Sequence, residues 1–200
     1  VKPDGVDFIC FTDRDIKSDG WEIRKVLPLY QDNTRTARKY KVLPHRWFPE
    51  YDISIWLDGN KVIEGDVLKY IEYIGDSSLA LFDHMKCFDK RNCIYDEAQS
   101  ILNFGKINSE KEPGRGIKAW KDNPELIVKQ MERYIQNGYP QNNGLGFTCG
   151  LVRYHNRPIL KNAMEMWWTE IKYGSKRDQL SFNYVAWKNK LNFVYLPEDG

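Results

Sequence analysis

Two hundred residues, with 30 Lys and Arg against 28 Asp and Glu, give a formal charge of +2. That length supports one domain with its own core, residues 1–200, and a charge so nearly balanced argues against nucleic acid as a partner. Apolar residues at 42% and charged residues at 29% exclude a disordered chain, and there is no apolar stretch long enough to span a bilayer and no signal peptide. A cytoplasmic location follows as the expectation, or the Golgi lumen were the chain part of a longer membrane-anchored protein. The chain starts at Val1 rather than at methionine, which leaves room for an upstream piece.

Val6-Asp7-Phe8-Ile9-Cys10-Phe11 reads as a buried strand, and Trp21 to Tyr30 as a second strand or extended segment. Asp32-Asn33-Thr34 is a helix start, and the helix should run from Thr34 to Pro44 with Arg35, Arg38 and Lys41 along a basic stripe. Ile53-Ser54-Ile55-Trp56-Leu57 is an apolar run of the kind buried on both faces of a parallel sheet. It ends in Asp58-Gly59-Asn60. Asp66 to Ile74 should be a short helix, and Leu79-Ala80-Leu81-Phe82 a strand ending in Asp83-His84. Asn92 to Phe104 reads as a helix, Lys106 to Lys121 as a polar mobile loop, and Asn123-Pro124-Glu125 as the start of a further helix. Gly138 to Gly146 is a loop, Phe147 to Val152 a strand, Pro158 to Tyr173 the longest helix, Ser175 to about Trp187 the last helix, and Asn192 to Leu196 a final strand. The alternation predicts an α/β three-layer domain with a mostly parallel central sheet flanked by helices.

The four cysteines, Cys10, Cys87, Cys93 and Cys149, form no C-x-x-C pair, which argues against zinc. Asp58 and Asn60 fit either a hairpin turn or an oxygen-only site for Mg²⁺ or Mn²⁺, completed by a ligand's phosphates. Arg35, Arg38 and Lys41 fit either a solvated helix face or counter-charge for a diphosphate. His84, Arg91 and His155 sit at strand ends or in loops, where a histidine is either a satisfied structural residue or a ligand; His155 is a candidate third metal ligand. Asp178-Gln179 at a helix start either complements the helix dipole or binds a polyhydroxylated ligand. No dinucleotide fingerprint, Walker loop or nucleophile elbow is present.

Several blocks in order, Asp7 to Asp13, Ala37 to His45, Tyr51 to Asn60, Cys93 to Ala98 and Arg177 to Phe182, resemble one family. It is the GT-A-like glycosyltransferase domain of plant mucilage and pollen-turgor proteins, found also in bacteria and large viruses. The resemblance implies a GT-A fold and metal-dependent transfer of a sugar from a nucleotide diphosphate, a UDP-sugar being favoured, to a glycan or glycoprotein acceptor. It places Asp58 and Asn60 at the D-x-D positions, with Asn replacing one acid, and Asp178-Gln179 beside the donor sugar, which implies retention of configuration. Arg35, Arg38, Lys41 and Asp58 would hold the diphosphate, His84 and Arg91 the acceptor, and 106–121 would form a lid. The family's usual first strand would lie upstream of Val1. A nucleotidyltransferase acting on sugar phosphates and an inactive glycan-binding module remain the competing classes.

Overall fold

The structure, a computed structural model, describes residues 2–87 and 89–197. Strands β1 (Ile9–Thr12) and β2 (Glu22–Lys25) pair in parallel as a small sheet of their own. The main sheet has four strands, β3 (Ser54–Leu57), β4 (Leu79–Asp83), β5 (Gly146–Arg153) and β6 (Phe193–Tyr195), in the order β3-β5-β4-β6. β5 runs antiparallel to both β3 and β4, while β4 and β6 are parallel. The sheet is therefore mixed, which corrects the expectation of a mostly parallel one. Three strands point the same way and β5 is inserted against them. An apolar run specifies a strand without specifying its direction.

The period of two along each strand sorts the core. Leu79, Leu81 and Leu151 face a thick helical layer, formed by α1 (Asn33–Val42), α4 (Ile94–Lys111), α5 (Pro124–Gln136), α6 (Pro158–Tyr173) and α7 (Gln179–Lys188), with the short α2 (Pro44–Trp47) continuing α1. Ala80 and Val152 face the other side, which is covered thinly by Ile71 and Ile74 around the short α3 (Lys69–Glu72). β3 pairs only with β5 among the described residues, so its side chains are half-buried rather than enclosed on both faces.

Local signals set the helix starts. The Asp32 side chain accepts from the Thr34 N–H at 2.9 Å to cap α1. Asn123 does the same for α5 by accepting from Glu125 N–H at 2.9 Å, and Pro158 opens α6. All four cysteines are free.

The expected lid is not a loop. α4 continues to Lys111, and the segment Pro113–Ala119 folds back along it as 3-10 turns. Gly105 lets the Trp120 indole lie flat on α4, in the space a Cβ would fill. Gly105→Ala should therefore push Trp120 off the helix, for a net loss of about 1–2 kcal/mol once alanine's better helix propensity is counted. Urea unfolding read with near-UV circular dichroism checks this. An unchanged indole signal would mean the packing is looser than it looks.

Candidate active site

The carboxyl ends of β3, β4 and β6 share one edge of the sheet, and the polar residues that matter sit there. Asp58 follows β3 directly, and its N–H still extends the ladder by donating to the Cys149 carbonyl at 2.9 Å. Its own carbonyl accepts from Lys61 N–H at 2.9 Å, so Asp58-Gly59-Asn60-Lys61 is a turn. Asn60 is exposed in that turn. The Asp58 side chain points inward. Its Oδ1 accepts from the indole Nε1 of Trp56 at 2.8 Å and from Lys41 Nζ at 3.1 Å, with Arg38 Nη1 at 3.7 Å. Trp56 is two residues back, hence on the same face of the strand.

The second carboxylate is Asp178, in the N-cap position of α7. It makes no capping bond with its side chain. Instead Oδ1 lies 3.1 Å from Arg38 Nε, and Oδ2 lies 2.7 Å from Lys41 Nζ and accepts from Thr148 Oγ1 at 3.0 Å. Its carbonyl accepts from Trp167 Nε1 at 3.0 Å. Burial pushes the Asp178 carboxyl upward, but Lys41 and Arg38 outweigh it and hold the group far below the usual carboxylate range. Two carboxylates and two cations thus form a closed cluster, with Lys41 at 0% and Arg38 at 15% side-chain exposure. Gln179 is buried beside it, and its Nε2 has no hydrogen-bond partner among the described residues.

The loop that delivers Asp178 is fixed from outside the cluster. Asp122 Oδ2 accepts from Ser175 Oγ at 2.6 Å and from Lys176 N–H at 2.7 Å, and Gln130 Oε1 accepts from Ser175 N–H at 2.8 Å.

Not every residue the sequence nominated arrives here. Arg35 turns away and donates to the carbonyls of Ile171 and Gly174 at the end of α6. His155 lies past the far end of β5, buried, with Nε2 donating to the Phe48 carbonyl at 2.8 Å. Because Asp58 is level with Cys149 and β5 runs away from it, His155, six residues on, is roughly 20 Å along the strand. The structure does not bring His155 to Asp58. His84 and Arg91 sit together past the carboxyl end of β4, on the same edge of the sheet as Asp58 and two strands away from it across β5. His84 Nδ1 accepts from Arg91 N–H at 3.3 Å, and Arg91 Nε donates to the buried Glu97 at 2.7 Å. The half-buried Phe147 packs edge-on against His84.

Sequence reading missed Trp56, Thr148 and Asp122. The first had a signal, since an indole two residues before a strand-end acid shares its face. Thr148 was visible only as a hydroxyl inside an apolar run. Nothing local marked Asp122, whose partners are more than fifty residues away in the chain.

Residues 12–195 match the family model described as the TOD1/MUCI70 glycosyltransferase-like domain. A curated relative, "Probable hexosyltransferase MUCI70" of Arabidopsis thaliana, is 25% identical over 159 residues, 78% of this chain. The chain spans about a quarter of that relative's length. No solved structure matches. With the family match covering most of the chain, and a paired-carboxylate site at the edge where its strands end, the chain belongs to the TOD1/MUCI70 glycosyltransferase-like domain family.

Proposed function

We propose that this domain transfers a glycosyl group from a nucleotide-diphosphate sugar, with UDP as the nucleotide, to a glycan or glycoprotein acceptor, with retention at the anomeric carbon. The observation that carries the reading is the cluster of Asp58, Asp178, Arg38 and Lys41 at the carboxyl edge of β3, within a chain of a glycosyltransferase-like family.

Among the described residues no group of three His, Cys, Asp or Glu could hold a metal ion. The donor set still fits Mg²⁺ or Mn²⁺ in the shared manner, in which substrate phosphates and water complete the shell. Asp58 has Oδ2 unbonded among the described residues, because Oδ1 takes all three of its partners. The exposed Asn60 offers an amide oxygen two residues on. These two residues would hold the ion, and the chemistry it supplies is neutralisation of charge on the departing diphosphate.

The chain's own residues do the rest. Arg38 reaches both carboxylates and keeps 15% of its side chain exposed, where Lys41 keeps none, so of the two cations it is the one placed to face the diphosphate. Lys41 and Arg38 favour the ionised form of Asp178. Both of its oxygens are taken by these cations and Thr148, which disfavours a role as the base that an inverting transfer needs. Its charge instead faces the positive character that develops on the sugar. Gln179 Nε2, buried and without a partner, suits a sugar hydroxyl. His84 and Arg91 flank the acceptor side.

Asp58→Ala should weaken UDP binding in the presence of Mn²⁺ at least tenfold and lower donor turnover on the order of 10²-fold. Calorimetry and a panel of nucleotide sugars measure both. Release of nucleoside diphosphate supports the transfer, release of pyrophosphate would indicate a nucleotidyltransferase, and glycan binding without either would indicate an inactive module. Unchanged UDP affinity in Asp58→Ala would remove Asp58 from the donor site. The anomeric configuration of the product, read by NMR, tests retention.

A further inference from the structure

The basic helix face of α1 was expected to meet the diphosphate, yet Lys41 has no surface to meet it with. Its side chain is 0% exposed, and its ammonium is taken by Asp58 Oδ1 at 3.1 Å and Asp178 Oδ2 at 2.7 Å. The residue is also held from behind. Arg153, on the inner end of β5, is 1% exposed and donates Nη1 to the Lys41 carbonyl at 2.6 Å. No acid pairs with Arg153 among the described residues, and its Nε has no partner there either. A guanidinium enclosed in this way, at the carboxyl end of α1, sits where a helix dipole favours positive charge. It fixes the last turn of α1 against the sheet, and with it the root of the Lys41 side chain.

Resting on the glycosyl-transfer reading above, we infer that Lys41 is a positioning residue: a fixed internal counter-cation that holds Asp58 and Asp178 at one spacing and sets the charge of the site, without touching the donor. With Lys41 the four groups sum to zero charge. Without it they sum to −1, and the two carboxylates lose their common partner. Arg177, whose positive charge also acts on Asp178, is present in either case, so removing Lys41 shifts the floor by one negative charge. That shift favours the cation and disfavours the diphosphate. Arg38 is the substrate-facing cation of the pair, and Lys41 is the enclosed one.

This separates Lys41 from a residue that only stabilises the fold, because the two ligands should respond with opposite sign. In Lys41→Met, Mn²⁺ alone should bind on the order of tenfold more tightly, and UDP alone on the order of tenfold more weakly. Donor turnover should fall mainly in kcat. Lys41→Arg, which keeps the charge, should restore both affinities toward the unaltered values. Mn²⁺ binding is followed by the loss of the free-ion EPR signal and UDP binding by calorimetry. Parallel weakening of both ligands, or no change in either, would overturn the inference. So would loss of the folded near-UV spectrum in both variants, since Lys41 would then be a stability residue alone. Tighter Mn²⁺ binding in Lys41→Met, with neither UDP nor GDP bound by the unaltered chain, would support the role of Lys41 and overturn the donor reading.

Discussion

Replacing Asp178 with asparagine should cost about 3–5 kcal/mol of folding stability, the range for breaking a buried ion pair by removing one partner, and almost all turnover. The change is close to isosteric, so Thr148 keeps an acceptor. What it removes is charge. Lys41, fully enclosed, and Arg38, largely so, are left with Asp58 alone, and Asp58 is itself 27% exposed. Denaturant unfolding measures the stability, and release of nucleoside diphosphate measures the turnover. The pH dependence has a definite sign. Burial raises the Asp178 carboxyl, and Lys41 and Arg38 lower it further than burial raises it, so its folded pKa is below the unfolded value of about 3.9. The stability it supplies is then fully present above about pH 4 and is lost as the pH falls toward the folded value. The gap between the unaltered chain and Asp178→Asn should stay level from neutrality down to about pH 4 and narrow below it. A gap of equal size down to pH 2 would show that the Asp178 ion pairs stabilise nothing.

That cluster was only half legible in the sequence, and the reasons are geometric. Residues three apart on a helix are neighbours, but residues six apart are turned by about 120° at 3.6 residues per turn. Arg35 and Lys41 therefore cannot share a face, and the stripe divides around Arg38. Arg35 closes the end of α6, and Lys41 enters the core. The choice for Asp58-Gly59-Asn60 between a turn and a charged site was not exclusive, since the backbone makes the turn while the Asp58 side chain joins the cluster. His155 and the sheet direction are one misreading. Had β5 run parallel to β3, moving along it toward the carboxyl end would have brought His155 to the Asp58 edge. Because it runs antiparallel, the same residues lead away. Strand direction depends on which strands pair, and pairing is a long-range property that periodicity does not carry. Helix starts were legible because their signals are local, as at Asp32, Asn123 and Pro158. The end of α4 was not, because the polar stretch after Phe104 is held in register by Trp120 against Gly105 rather than by an apolar face of its own.

The same long-range logic makes Glu170 the second position of large effect. It lies on α6, is 6% exposed, and is held entirely by α5. Tyr134 donates to its Oε2 at 2.6 Å, Gln130 Nε2 donates at 3.1 Å, and Arg133 spans both carboxylate oxygens. Burial raises the Glu170 carboxyl, but the bonds from Arg133 and Tyr134 bring it below its ordinary value. Glu170→Ala should therefore cost about 2–3 kcal/mol, because the Tyr134 hydroxyl is buried with it and loses its acceptor, while the half-exposed Arg133 returns to water and Gln130 Nε2 keeps its bond to Tyr134 Oη at 2.7 Å. Glu170→Gln, which keeps an acceptor but loses the charge, should cost less. The consequence should reach the site. Gln130 also accepts from Ser175 N–H, in the loop that delivers Asp178, so losing one of the bonds that fix its amide loosens that loop. Unfolding should show Glu170→Ala as the less stable variant, and the residual folded protein should turn over donor more slowly than Glu170→Gln under matched conditions. Equal turnover per folded molecule in the two variants would show that α5 stabilises the fold without steering Asp178.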